Sequence, residues 1–233
     1  MKNSNEAATL KSCRLLGTSR PRYFGQARTP GFRTAHSQDG HRATFSPALF
    51  RASAYDESNS IPPMNPPRSV QQAINAQIKN ELQAHYNYLG MSAHFDNTAY
   101  LGFAKWMRTQ SGEEYTHAMK LFDYLRERNA TIELKEIEAP KTEYGPRPLE
   151  VFEISLAQEQ GVTQQINDLY ELALKEKDYA TLQFLTWFLQ EQVQEENTVQ
   201  AVVDRLRLAG DNAAALLRLD SEAARDALAP KPQ

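Results

Sequence analysis

The sequence predicts an all-α protein, a four-helix bundle with one long crossover between its second and third helices and a short fifth helix near the C-terminus. Three observations predict it. From Pro67 onward, apolar residues recur at helical spacing in four long stretches with few Gly or Pro inside them. Punctuation falls at Phe95-Asp96-Asn97, Ala139-Pro140, Gly145-Pro146, Lys177-Asp178 and Gly210-Asp211. The connections are uneven: the first and third need only one to three residues, whereas about 20 are used from Arg128 to Pro146. Short links make antiparallel neighbours, and the long link lets the second and third helices run parallel.

The first helix, α1, is expected over residues 68–95, with Val70, Ile74, Ile78, Leu82, His85, Tyr88, Leu89 and Phe95 on one stripe and Glu81 inside it. The second, α2, is expected over 97–127 with Asn97 as its N-cap. Its stripe of Phe103, Met107, Ala118, Leu121 and Leu125 is interrupted by Glu114 and His117, an E-x-x-H pair one turn apart. The β-branched content of residues 130–137 predicts an extended segment along the bundle surface. In α3, expected over 147–176, Glu159 shares its face with Phe152, Val162 and Ile166. In α4, expected over 178–208, Asp178 is the N-cap, Gly210 the stop, and Gln192 and Glu195 share a face with Leu185, Phe188, Val199 and Val202. The short α5, expected over 212–226, carries Leu216, Leu217 and Leu219, too far along the chain to join the four-helix core and expected to bury against other subunits.

Length and composition bound the rest. A chain of 233 residues, 41% hydrophobic and 24% charged, has ordinary globular composition and makes one or at most two domains. No uncharged apolar run reaches the roughly 18 to 20 residues of a membrane helix, so a membrane protein is excluded. The cell interior, the cytoplasm, is the expected compartment. The single cysteine, Cys13, makes neither an internal disulfide nor a Cys-rich zinc site, so a metal must be held by Glu, Asp or His. The net charge of -3 hides a split: residues 1–63 hold 9 Lys+Arg against 4 Asp+Glu, and residues 64–233 hold 17 against 25. An acidic body argues against a nucleic-acid partner and favours attraction of cations.

Two regions follow. Residues 1–63 are rich in Ser, Thr, Arg, Gly and Pro, without apolar period, and are expected to be disordered. Their Arg, Ser and Thr content matches an organelle transit peptide, which would move the protein to an organelle; alternatively translation begins at Met64, or the segment is an interaction arm. Residues 64–233 form the helical body and carry all the chemistry.

That chemistry lies in the inward polar groups. The expected helix midpoints fall near residues 82, 112, 162 and 193, and Glu81, Glu114, Glu159 and the Glu191/Gln192 pair lie at those heights. Converging buried carboxylates repel one another and each costs several kcal/mol to desolvate. No Lys or Arg falls in the same layers to compensate. A cation must, and hard oxygen ligands with one imidazole fit Fe(II), and also Mn or Zn. Singly, each feature has a plainer explanation: an edge-of-stripe Glu, a core histidine, core aromatics at Tyr88 and Trp187. Together, at one height, they point to coordination.

The body resembles the ferritins, specifically the non-haem bacterial type, from residue 68 to about 228. The stretches that carry the resemblance are Asn80-Glu81-Leu82 with Tyr88 following, Gly112-Glu113-Glu114-Tyr115-Thr116-His117, Leu121-Phe122-Asp123-Tyr124-Leu125, Phe184-Leu185-Thr186-Trp187-Phe188 leading into Glu191-Gln192, and Leu208-Ala209-Gly210. The resemblance implies a ferritin-like iron store: a ferroxidase that oxidises Fe(II) with dioxygen or peroxide at a di-iron centre and deposits ferric mineral inside a homo-oligomeric cage of 24 subunits. It implies that Glu81 and His117 bind one iron, Glu159 the second, and that Glu114 bridges them. Gln192 would lie beside the second iron, with Tyr88 and Trp187 as neighbouring one-electron donors. Glu113, Glu191 and Glu195 correspond to a third iron site, where Gln194 replaces a usual glutamate and removes a charge. The fourth helix lacks a second E-x-x-H, unlike bacterioferritins and rubrerythrins, and Tyr115 stands where haem-binding relatives place methionine, so haem is not expected. Two other classes compete: a scaffold bundle whose metal is purely structural, and a peroxide-consuming di-iron enzyme of rubrerythrin type, which the missing second E-x-x-H disfavours.

Overall fold

A computed structural model describes residues 65–226, and they form five helices: α1 (Arg68–Asp96), α2 (Leu101–Glu127), α3 (Pro148–Lys175), α4 (Tyr179–Ala209) and α5 (Ala213–Asp226). The tail expected over residues 1–63 lies outside the described residues. Among the described residues no helix is long and apolar enough to cross a membrane. The helix ends match the expected ones to within two residues except at the start of α2.

That exception is a correction. Asn97 is the C-cap of α1, its backbone N–H bonded to the carbonyls of His94 and Phe95, and α2 begins only at Leu101. The residue before α2, Tyr100, offers no side-chain cap. The orphan amide of Phe103 is instead satisfied by Asp220 Oδ1 of α5 at 2.7 Å. A carboxylate at a helix N-terminus also meets the positive end of the helix dipole. Gly102 makes this possible, since a Cβ there would sit 1.9 Å from the Asp220 carbonyl oxygen.

The same packing corrects the expectation for α5. The left-handed Gly210, φ +55°, ends α4, and the following turn brings α5 back onto α2 and α4 of its own chain. Leu216 is buried there and Leu219 packs beside it; of the three leucines only Leu217, half exposed, remains for an external contact.

The long connection runs extended along α1. Asn75 Nδ2 donates to the Thr131 carbonyl at 3.0 Å, and its Oδ1 accepts from Glu133 N–H at 2.8 Å. Gln83 Nε2 donates to the Glu138 carbonyl, and Tyr144 N–H reaches His94 Nδ1. The contacts climb α1 from residue 75 to 94 as the connection advances from 131 to 144, so it returns the chain to the end where α2 began, and α3 runs parallel to α2. Gly90 lets it pass: a Cβ there would lie 2.3 Å from the Lys141 carbonyl oxygen. Asp178 caps α4 as expected, its side chain accepting from Thr181 N–H, and Arg128 at the end of α2 pairs with it at 3.1 Å.

The core divides in two. One apolar cluster gathers Tyr88, Phe95, Phe103, Phe152 and Val203, and the other gathers Ile74, Ile78, Leu125, Ile166 and Leu185. On all four helices the interval between the clusters holds the polar residues, so the antiparallel packing sets them in a single layer. Leu82, His85 and Leu89, expected on the core stripe of α1, are only half-buried on its flank; Ala84 and Met91 take the inner positions.

Candidate metal centre

Burial in the polar layer is nearly complete: Glu81 is 0% exposed, Glu114 and Glu159 1%, Glu195 1% and His117 6%. Ligand atoms of Glu81, Glu114 and His117 lie within 4.8 Å of one another, and those of His117, Glu191 and Glu195 meet the same limit. The E-x-x-H spacing does what one helical turn should, since His117 Nδ1 stands 3.3 Å from Glu114 Oε2. Glu159, on α3, belongs to neither group but is buried in the same layer, where its Oε1 accepts a hydrogen bond from the Tyr88 hydroxyl. Tyr88 also meets Ser155 Oγ at 2.9 Å.

The carboxylates are under-satisfied as a set. Glu81 Oε2 and Glu159 Oε2 are buried without a hydrogen-bond partner, and so is Gln192 Nε2. Buried polar atoms in native cores are almost always paired, so these orphans mark where a further group belongs. Burial, then the adjacent Glu114, pushes Glu81 up to about 8. Burial raises Glu159 to about 7 against the lowering effect of the Tyr88 hydrogen bond, with Glu195 and Glu81 adding repulsion. Glu114 is held well above the carboxylate range by burial, Glu159 and Glu195. Burial likewise keeps the Tyr88 phenol protonated. Without a cation the layer holds protons; a divalent ion would replace them.

The remaining expected residues fall around this set. Glu113 and Glu191 are half-buried on α2 and α4, and Gln194 is exposed one turn beyond Glu191. The Trp187 ring stands nearly perpendicular to His117 at 5.5 Å, with Lys120 Nζ 3.9 Å over its face. Tyr115 is half exposed, 5.8 Å from the His85 ring. Two residues went unnoticed in the sequence. Gln77 Nε2 donates to Glu81 Oε1 at 3.0 Å, and Gln110 Nε2 donates to Glu195 Oε2 at 3.1 Å. A signal existed for the first, an inward Gln four residues before the inward Glu81; the bond of Gln110 crosses to α4, and its spacing does not show it.

Fold and site together define a four-helix bundle with a carboxylate–histidine layer at its mid-height, whose ligand atoms stand close enough to share a cation. The ferritin-like domain model matches residues 71–209. The chain is 42% identical over 157 residues to a bacterial non-haem ferritin of Staphylococcus haemolyticus, covering 67% of this chain and 94% of that protein. It is 43% identical over 152 residues to one of Staphylococcus epidermidis, covering 65% and 91%. Among solved structures, the open-pore ferritin of the hyperthermophilic archaeon Archaeoglobus fulgidus superimposes with a TM-score of 0.67 at 42% identity, over 68% of this chain and 96% of that one. The chain belongs to the ferritin family, in its bacterial non-haem branch.

Proposed function

We propose that this protein is an iron-storage ferritin and that the polar layer is its ferroxidase centre, with Fe(II) as substrate and dioxygen or peroxide as oxidant. The observation that carries the proposal is the pair of orphaned oxygens, Glu81 Oε2 and Glu159 Oε2, sealed in a layer with Glu114 and His117. Glu81 and His117 bind one iron, Glu159 the second, and Glu114 bridges. Carboxylate ligands favour Fe(III) over Fe(II) and so draw the electrons toward the oxidant. The chain's own part is to orient these ligands and to manage protons. Gln77 fixes one oxygen of Glu81 and Tyr88 fixes one oxygen of Glu159, leaving the other oxygen of each for an ion. Protons held at Glu81 and Glu159 leave as iron enters. Gln192 positions the oxidant, a role its buried, unpartnered amide supports. Tyr88 and Trp187 stand ready as one-electron donors. Glu113, Glu191 and Glu195 form a third, weaker iron site.

Storage requires a closed container, and we assign this chain to a homo-oligomeric cage of 24 subunits in the cytoplasm, without haem. Anaerobic addition of Fe(II) followed by air, monitored by absorbance and by particle size, tests the whole reading. Rapid ferric absorbance within a large, mineral-filled particle is expected. A protein that merely gains stability from Fe(II) and leaves it reduced would instead be a structural metal bundle.

A further inference from the structure

Between α1 and α3 lies an open groove of about 490 Å³. Its walls are carboxamides, Asn80, Gln83 and Asn87 from α1 and Gln158 and Gln165 from α3, and Lys79 is its one charged lining residue. Its lining also includes apolar residues, the buried Ala84 and Val162 and the exposed Ile154 and Ala157, with the half-buried Gly161. Ala84 is three residues from Glu81 and Val162 three from Glu159, so the groove and the carboxylates share one level of the bundle and one pair of helices.

An amide chain links the two. Gln165 Oε1 accepts from Asn80 Nδ2 at 3.0 Å and from Gln77 Nε2 at 3.3 Å, and the same Gln77 nitrogen donates to Glu81 Oε1. Gln158 Oε1 accepts from Asn87 Nδ2 at 2.9 Å, while its Nε2 is buried without a partner. Gly161 is unexplained by packing. Mid-helix glycine costs about 0.5–1 kcal/mol relative to alanine, yet a Cβ at Gly161 would meet nothing within 4 Å. What it contributes is open space.

The other side of the centre has opposite chemistry. There α2 and α4 bring Glu191 and Glu195 beside His117, with Glu113 half-buried on α2, an acidic approach that draws divalent cations. With the Gln158 and Gln165 oxygens already taken by Asn87 and Asn80 and an ammonium at Lys79, the groove offers a cation little, whereas it can hydrogen-bond a small uncharged molecule. Resting on the ferroxidase reading above, we propose that the α1–α3 groove is the port through which hydrogen peroxide reaches the centre, while iron arrives from the α2–α4 side. The reaction served is balanced as two Fe(II), one hydrogen peroxide and two protons giving two Fe(III) and two waters.

The test uses the full-length assembled protein with Gly161→Phe to fill the groove, Ala157→Trp as an independent plug from an exposed lining position, and Gly161→Ala as a control. Two stopped-flow measurements are made: the peroxide dependence of oxidation of pre-bound Fe(II), and anaerobic Co(II) binding by absorbance. The plugs should lower the second-order rate constant for peroxide at least tenfold, leave Co(II) binding within twofold, and melt no lower than wild type, with Gly161→Ala matching wild type in both rates. An unchanged peroxide dependence in both folded plugs overturns the proposal, and so does a matching slowdown of Co(II) binding, which would make the groove a cation route. If wild type oxidises no Fe(II) with either oxidant, the ferroxidase reading fails first and the port falls with it; oxidation by wild type with indifferent plugs removes the port alone.

Discussion

The Tyr88 hydroxyl on α1 donates to Glu159 Oε1 on α3, while Glu159 Oε2 stays buried without a partner. One oxygen is thereby spoken for and the other left open, and the donated bond partly offsets the cost of ionising a buried carboxyl. Tyr88→Phe should therefore raise the Glu159 carboxyl further above 7. A hydrogen bond to a charged group contributes about 1.5–3 kcal/mol, so Co(II) affinity near neutral pH should fall roughly tenfold. Titration at mildly acid and at mildly alkaline pH checks it: the deficit should shrink once Glu159 is ionised in both proteins, and an equal deficit at both pH values would show that Tyr88 does not act through the Glu159 proton.

Glu114→Gln and His117→Ala should each reduce fast Fe(II) oxidation by at least a hundredfold, since the first replaces the bridging carboxylate and the second removes the one imidazole in the cluster. Assembly should persist, because Glu114 is a repelled carboxylate whose removal relieves rather than breaks the apo core. Size-exclusion profiles and initial ferric absorbance rates, measured on the same samples, decide. Wild-type oxidation rates in either variant would remove the residue from the centre.

The bundle and its polar layer were legible because they rest on local periodicity: a side chain's face is set by its position in a helix, and antiparallel packing then matches the heights. Most of what escaped the sequence rests on contacts between distant segments. Asn97 has the chemistry of an N-cap, yet the amide that needs one is satisfied by Asp220, 117 residues after Phe103. Leu216 was expected to face another subunit because nothing local shows that the turn after Gly210 folds α5 back. Gln77 and Gln110 were overlooked because a glutamine at a stripe edge is ordinarily solvated; their role exists only once a carboxylate is buried beside them.

The apo protein should lose stability as pH rises from about 4.5 to 8. Glu81 moves from 4.5 to about 8 and Glu159 from 4.5 to about 7 on folding, so the folded chain binds protons more tightly than the unfolded one throughout that window. The stabilisation is complete below the unfolded values and is lost as pH passes the folded ones. A divalent ion replaces the protons and should flatten the dependence. Melting temperatures with chelator and with saturating Co(II), between about pH 5 and pH 8.5, should diverge as pH rises, and an apo melting temperature that climbs with pH across this range would contradict the assignment.

Removing residues 1–63 should leave assembly and Fe(II) oxidation unchanged, since every proposed ligand lies between Glu81 and Glu195. A chain starting at Met64, compared with the full chain by light scattering and oxidation rate, is the check. A monomeric or inactive product would make the tail part of the machine.

The third iron should bind more weakly than the first two. Glu191 and Glu195 meet His117 within 4.8 Å, and Glu113 lies half-buried on the adjoining helix, so three carboxylates are on hand. Two features weaken them as a site. Gln110 Nε2 occupies Oε2 of Glu195, reducing that carboxylate's capacity for an ion. Gln194, exposed one turn from Glu191, presents a neutral amide where a glutamate would add a charge. At an effective dielectric near 20, a unit charge about 4 Å from a divalent ion changes its energy by several kcal/mol before solvent screening, and even a screened remnant of about 1.4 kcal/mol is tenfold in affinity. Titration of the apo protein with Fe(II), anaerobically and then in air, should show two tight equivalents per subunit and a third at least tenfold weaker, with Gln194→Glu tightening the third alone. If wild type already binds three equivalents as tightly as the substituted protein, the missing charge at Gln194 does not govern the site.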